Sequence, residues 1–142
     1  MWTTEHNAET DAPAEAVWRE WADVSGWPEW NADIERIELV GPFAAGSRIL
    51  MTPRGEDTVE LAIAEAVEPS LFVDEADLGD LLVRTIHRAE SLPGGGTRIV
   101  YRMEITGPAA GSAGAQIGAA ISADFPEVLA ALAARAGARL AR

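Results

Sequence analysis

Polar and apolar residues alternate with two different periods along this chain, and the switches between them mark its elements. Residues 2–10 (WTTEHNAET) alternate weakly at every second position and read as a first strand. Asp11 and Pro13 then open a helix, with an acid able to cap and a proline tolerated in the first turn. Val17, Trp18, Trp21 and Ala22 fall on one stripe at helical spacing, and Ser25–Gly26 ends it. WPEWNAD is long enough for one further helical turn, again with a proline, Pro28, near its start. From there the period is two: strands are expected over 34–41, 47–53, 58–67, 71–78, 81–92 and 97–106. Glycine- or proline-bearing turns separate them, the signature of an antiparallel meander. The chain closes on a helical pattern over 112–140, in which Ile117, Ile121, Phe125, Val128, Leu129, Leu132, Ala136 and Leu140 recur at three and four. Pro126 inside it deprives the Ser122 carbonyl of its partner, so a kink is expected there.

This order gives an α+β protein with seven antiparallel strands, two short helices after the first, and a long C-terminal helix. Only that last helix is large enough to cover the apolar face of the sheet. At 142 residues the chain is read as a single domain, 1–142.

The strand over 81–92 has two unlike faces. Leu81, Val83, Thr85, His87 and Ala89 occupy one; Arg84, Arg88 and Glu90 lie on the other. Burying the charged set would be costly, so the first face points inward. On the next strand Ile99, Tyr101, Met103 and Ile105 face the same way. A three-residue loop of Gly94–Gly96 would set His87 opposite Met103, with Tyr101 as a diagonal neighbour on the inner face. A four-residue loop would slip the register and turn His87 to solvent.

Composition narrows the chemistry. There is no cysteine, hence no disulfide, thiolate metal site or cysteine nucleophile. The net charge of −12 opposes phosphate backbones, so nucleic acid is not an expected partner. The first residues are polar and acidic, unlike a signal peptide. The C-terminal apolar stretch carries Asp124, Glu127 and Arg135, so no membrane insertion is expected and a cytoplasmic location is the default. His6 alternates with Thr4 and Ala8 and is expected to face inward. Two histidines without a placed acid do not make a metal site, and no cofactor motif is present. Glu65 follows Val59, Leu61 and Ile63 on their face, and is either an interior carboxylate or a rim charge. AGSAG, 110–114, has Ala110 where a nucleophile elbow needs glycine, so Ser112 reads as a helix cap. The stretch 107–114 lacks the lysine of a phosphate loop. Gly114 and Gly118 either open space beside Ile117 and Ile121 or let helix and sheet approach closely.

Several stretches together carry a resemblance: residues 12–39 (APAEAVWREWADVSGWPEWNADIERIEL), AGSRI at 45–49, EAVEP at 65–69, GGTRIVYRMEITG at 95–107 and the C-terminal FPEVLAALAARA. They resemble the polyketide cyclase/dehydrase-like family of the START-related (SRPBCC) helix-grip superfamily. The resemblance implies a curved sheet wrapped around the long helix, with a cavity between them for an apolar or amphipathic small molecule such as a lipid or polyketide. It also implies that the tryptophan–proline turn packs across one end of the sheet, with Trp30 as a core plug and Trp27 at the cavity mouth. On that frame Trp27, Met51 (or Leu50), Leu61, His87, Tyr101, Met103, Ile117 and Ile121 are the expected ligand-binding residues. His87 and Tyr101 admit three readings: a polar pair in the wall, ligand recognition, or base and oxyanion donor of a cyclase or dehydratase. A protein-interaction module of the co-chaperone type is the remaining alternative. Oligomeric state is not legible.

Overall fold

The computed structural model describes residues 1–140. The elements run β1 (Trp2–Thr10), α1 (Ala14–Ala22), a short 3-10 helix (Val24–Glu29), β2 (Ile34–Val40), β3 (Arg48–Pro53), β4 (Val59–Val67), β5 (Leu71–Asp77), β6 (Leu82–Ser91), β7 (Thr97–Thr106), α2 (Ala110–Ser122) and α3 (Phe125–Leu140). The strands form one antiparallel sheet in the order β1-β7-β6-β5-β4-β3-β2. β2 to β7 thus follow one another as a meander, and β1 pairs beyond β7.

The helices lie on one face of this sheet, as the α+β helix-grip reading requires. Ile99, Tyr101, Met103 and Ile105 of β7 point into the core with Ile49 and Ile63, while Val17, Trp21, Leu129 and Leu132 meet them from the helices. The outward residues pair across strands instead: Arg98 with Glu9 at 3.0 Å, and Arg84 with Glu75 at 2.9 Å. Between the helices, Arg135 of α3 donates to Glu20 of α1 at 2.7 Å, largely out of water.

Four expectations are corrected. The β6–β7 loop is Pro93–Gly95, not Gly94–Gly96. The Gly95 N–H bonds the Leu92 carbonyl, and Leu92 N–H bonds Gly96, whose φ of +82° continues the positive φ of Gly95. Pro93 thereby takes the second turn position, which its fixed φ suits and where no ladder N–H is needed. The register moves by two, which keeps every face but sets His87 directly opposite Tyr101. Second, Glu65 is on the outer face. A bulge between Ile63 and Glu65 reverses the alternation, and Glu65 bonds Arg84 at 2.7 Å. Third, the kink expected in the long C-terminal helix is present but falls at Ala123–Asp124 rather than at Pro126, which sits in the first turn of α3 where its missing N–H costs nothing. The Ser122 hydroxyl turns back onto the Gly118 carbonyl at 2.7 Å. Fourth, caps differ: Ser112 lies inside α2 and donates to the Ala109 carbonyl. Pro13, with no side-chain cap, precedes α1, and α1 ends at Asp23, so Ser25–Gly26 belongs to the 3-10 helix.

The segment 110–138 is long and apolar enough to cross a membrane by length and composition. Here it is bent, and Leu129, Leu132 and Ala136 pack into the core. Gly114 and Gly118 serve close approach: Trp2 of β1 lies over both, and a methyl group at Gly118 would overlap its ring. Replacing Gly118→Ala is therefore expected to lower Tm by roughly 3–10 °C in thermal unfolding, through overpacking. Gly111→Ala, which meets open space, should be neutral or slightly stabilising.

Candidate functional site

α2 sits on β1 and β7, and α3 on β1 and α1, so the inner face of β3 to β5 is left without helical cover. A cavity of about 640 Å³ occupies that space. Met51, Leu61, Ala76, Val83 and Met103 line it from the sheet, Trp21, Trp27 and Trp30 from the N-terminal helices. The α2–α3 junction closes it with Ala120, Ile121 and Phe125.

The inner end is polar. Phe72, His87, Tyr101 and His6 stand directly opposite one another on β5, β6, β7 and β1. The His87 ring stacks on Phe72 at 4.3 Å and meets Tyr101 edge-on at 4.5 Å. Its Nδ1 lies 2.9 Å from the Phe72 carbonyl. A carbonyl only accepts, so Nδ1 carries the proton and Nε2 holds a lone pair. Trp21 Nε1 donates to the Tyr101 hydroxyl at 3.1 Å, which leaves the phenolic hydrogen free to donate elsewhere. His6 packs edge-on against Phe125 beside this row and does not line the cavity.

Asp74, which sequence reasoning missed, completes the cluster. It lies opposite Thr85 on the inner face of β5, with Oδ2 3.9 Å from His87 Nε2. Burial, and next the Glu75 charge, raise its pKa to about 7. Burial lowers that of His87 to about 4, against the opposing Phe72 carbonyl, and burial pushes the Tyr101 phenol up. At 3.9 Å the two side chains do not hydrogen-bond, and desolvation favours the neutral form of each, so they are not an ion pair near neutrality. The signal was present: Phe72-x-Asp74-x-Ala76 alternates as an inward face with one acid among apolar residues.

Of the expected residues, Trp27, Met51, Leu61, His87, Tyr101, Met103 and Ile121 lie on the cavity wall. Leu50 does not, and Ile117, one turn before Ile121, packs against the core instead. The two tryptophans exchange places. Trp27 is buried and donates to the Trp21 carbonyl at 3.0 Å, whereas Trp30 is half-buried nearer the mouth. The mouth carries Asp33, Arg54, Glu56 and Asp124. Partial burial, then nearby Asp33 and Glu127, raise the Asp124 pKa. Arg54 Nε is held by the Ala32 carbonyl at 2.8 Å.

A family model described as "Polyketide cyclase / dehydrase and lipid transport" matches residues 1–137. The chain belongs to this family. No curated protein matches this chain by sequence. Solved structures share its fold at low identity. The di-domain ARO/CYC BexL from the BE-7585A biosynthetic pathway aligns with TM-score 0.78 and 17% identity over 95% of this chain and 50% of its own, so the domain spans half of that protein. The Zhui aromatase/cyclase from Streptomyces sp. R1128 aligns with TM-score 0.75 and 19% identity over 98% and 95%. A START superfamily protein from Mycobacterium smegmatis gives 0.72 and 15% over 94% and 96%.

The pKa shifts make opposite contributions to the stability of this family member. Asp74 binds a proton more tightly folded than unfolded, so its contribution falls as pH rises from about 4 to about 7. His87 binds one less tightly folded, so its contribution rises from about pH 4 to 6.5. Comparing wild type with Asp74→Asn removes the histidine contribution from the difference. The Tm advantage of the variant should grow between pH 4 and 7 and level off above. A difference independent of pH would contradict the raised Asp74 pKa.

Proposed function

We propose that this domain binds an apolar or amphipathic small molecule in the cavity between sheet and helices. The observation that carries the reading is the cavity itself: about 640 Å³, walled largely by aliphatic and aromatic side chains, with Asp74, His87 and Tyr101 together at its inner end and charged residues at its mouth. Ligand pockets commonly have about 300–1,000 Å³ and this mix of apolar wall and few polar groups. Met51, Leu61, Met103 and Trp27 would supply apolar contact, His87 and Tyr101 orientation. The family's description, which names lipid transport beside cyclase and dehydrase chemistry, supports the same class of ligand. Native mass spectrometry and extraction should recover an apolar molecule, and an apolar fluorescent probe should bind one to one. Ala76→Phe, which fills the cavity floor, should weaken the probe about tenfold or more without lowering Tm. Unchanged probe affinity in that variant would place binding elsewhere.

A second reading, an acid–base enzyme of cyclase or dehydratase type, is favoured by one feature. His87 presents a neutral Nε2 lone pair to the cavity beside a Tyr101 hydroxyl whose hydrogen is uncommitted. His87 would act as base and Tyr101 would donate to a developing oxyanion. The structural likeness to an aromatase/cyclase is compatible with it. With the co-purifying molecule or its precursor as substrate, His87→Gln should keep the fold and the affinity but abolish turnover; normal turnover would refute it.

A further inference from the structure

The polar groups at the inner end of the cavity are not equally satisfied. Tyr101 accepts from Trp21, and His87 donates to Phe72. Asp74 is 7% exposed, and among the described residues no donor hydrogen-bonds its carboxyl group. A buried carboxyl without a partner costs free energy, as does an unfilled imidazole lone pair. These two unfilled atoms, Asp74 Oδ2 and His87 Nε2, face one another at 3.9 Å on the cavity wall. That separation is too long for a bond between them and short enough for one oxygen to lie about 2.8 Å from both.

We propose that the gap between Asp74 and His87 is a subsite for a single hydroxyl group on an otherwise apolar ligand, and that the cavity selects such ligands over carboxylic acids of the same skeleton. The inference rests on the binding reading above and names its ligand class. A hydroxyl both donates and accepts. It can give its hydrogen to His87 Nε2 while accepting from a protonated Asp74, or donate to Asp74 when that group is ionised. Tyr101 supplies a further donor from the side. A ketone can only accept and leaves the His87 lone pair empty. An ammonium group would have to leave water for a carboxyl that burial holds toward its neutral form. A carboxylate would face Asp74 without a counter-charge. Among the described residues no arginine lines the inner end, and Arg54, the one arginine among them on the cavity wall, is at the mouth.

The test uses naphthalene, 2-naphthol and 2-naphthoate as displacers of a bound apolar fluorescent probe at pH 7. With wild-type protein, 2-naphthol should displace the probe at about tenfold lower concentration than naphthalene, the size of one added hydrogen-bonded contact, and 2-naphthoate at a higher concentration than either. Asp74→Leu should bring 2-naphthol to the level of naphthalene while naphthalene binds as well as before or better. Asp74→Asn, nearly isosteric, should keep the preference for 2-naphthol and bind 2-naphthoate more tightly than wild type, so it serves alone if the leucine variant does not fold. Equal binding of naphthalene and 2-naphthol overturns the hydroxyl subsite and leaves the binding reading standing. So does a 2-naphthol preference that survives in Asp74→Leu, or 2-naphthoate binding that is unchanged in Asp74→Asn. If neither the probe nor any of the three compounds binds, both fall.

Discussion

The register of β6 against β7 is the constraint from which the inner face follows. It is set at the Pro93–Gly95 turn, where proline occupies the position its ring prefers and glycines take the positive φ that other residues resist. Because side chains alternate with a period of two, a register wrong by one residue would turn His87 to solvent and bring Arg88 inward. The observed pairing instead aligns Phe72, His87, Tyr101 and His6 in one row across four strands. Stacking of His87 on Phe72 and the bond from Trp21 to Tyr101 then fix the orientation of both polar rings. The chemistry at the inner end of the cavity is thus a consequence of turn geometry some distance along the strands.

The cavity exists because the helices crowd one side of the sheet. Gly114 and Gly118 remove the side chains that would hold α2 away from Trp2, so α2 settles closely over β1 and β7. The Arg135–Glu20 pair ties α3 to α1 on the same side. What remains over β3 to β5 is covered only by the tryptophan-bearing segment and by the corner between α2 and α3. The break, with Ser122 bonding back to Gly118 and Pro126 opening α3, gives the mouth its wall.

Much of this was legible in the sequence, and each failure has its own physical cause. Strand faces could be read wherever charges and apolar residues alternate cleanly, as in Leu81–Ala89 and Ile99–Ile105, because burying an arginine is so unfavourable that the pattern has one solution. The helix-grip order of elements followed from the same alternation. Glu65 was misplaced because a bulge adds one residue to a strand without any mark in the hydrophobic pattern. The exchange of Trp27 and Trp30 reflects a 3-10 segment whose tighter turn re-aims both rings. Asp74 was overlooked because a single acid in a strand ordinarily points to solvent, and only the pairing of β5 with β6 shows it turned inward.

An interior made only to pack would not hold this set of groups. Tyr101, Trp21 and the Nδ1 side of His87 satisfy one another or the backbone, and cost little net free energy. Asp74 and Nε2 of His87 do not, and a leucine at position 74 would fill the same volume without the desolvation penalty. The residual, unfilled valence is therefore the most informative part of the cavity. It lies on the cavity wall beside the His87 and Tyr101 rings. A ligand that enters with its hydroxyl leading would bring its one polar group to that point, and the balance between apolar area and a single hydrogen-bonding group would decide which molecules stay.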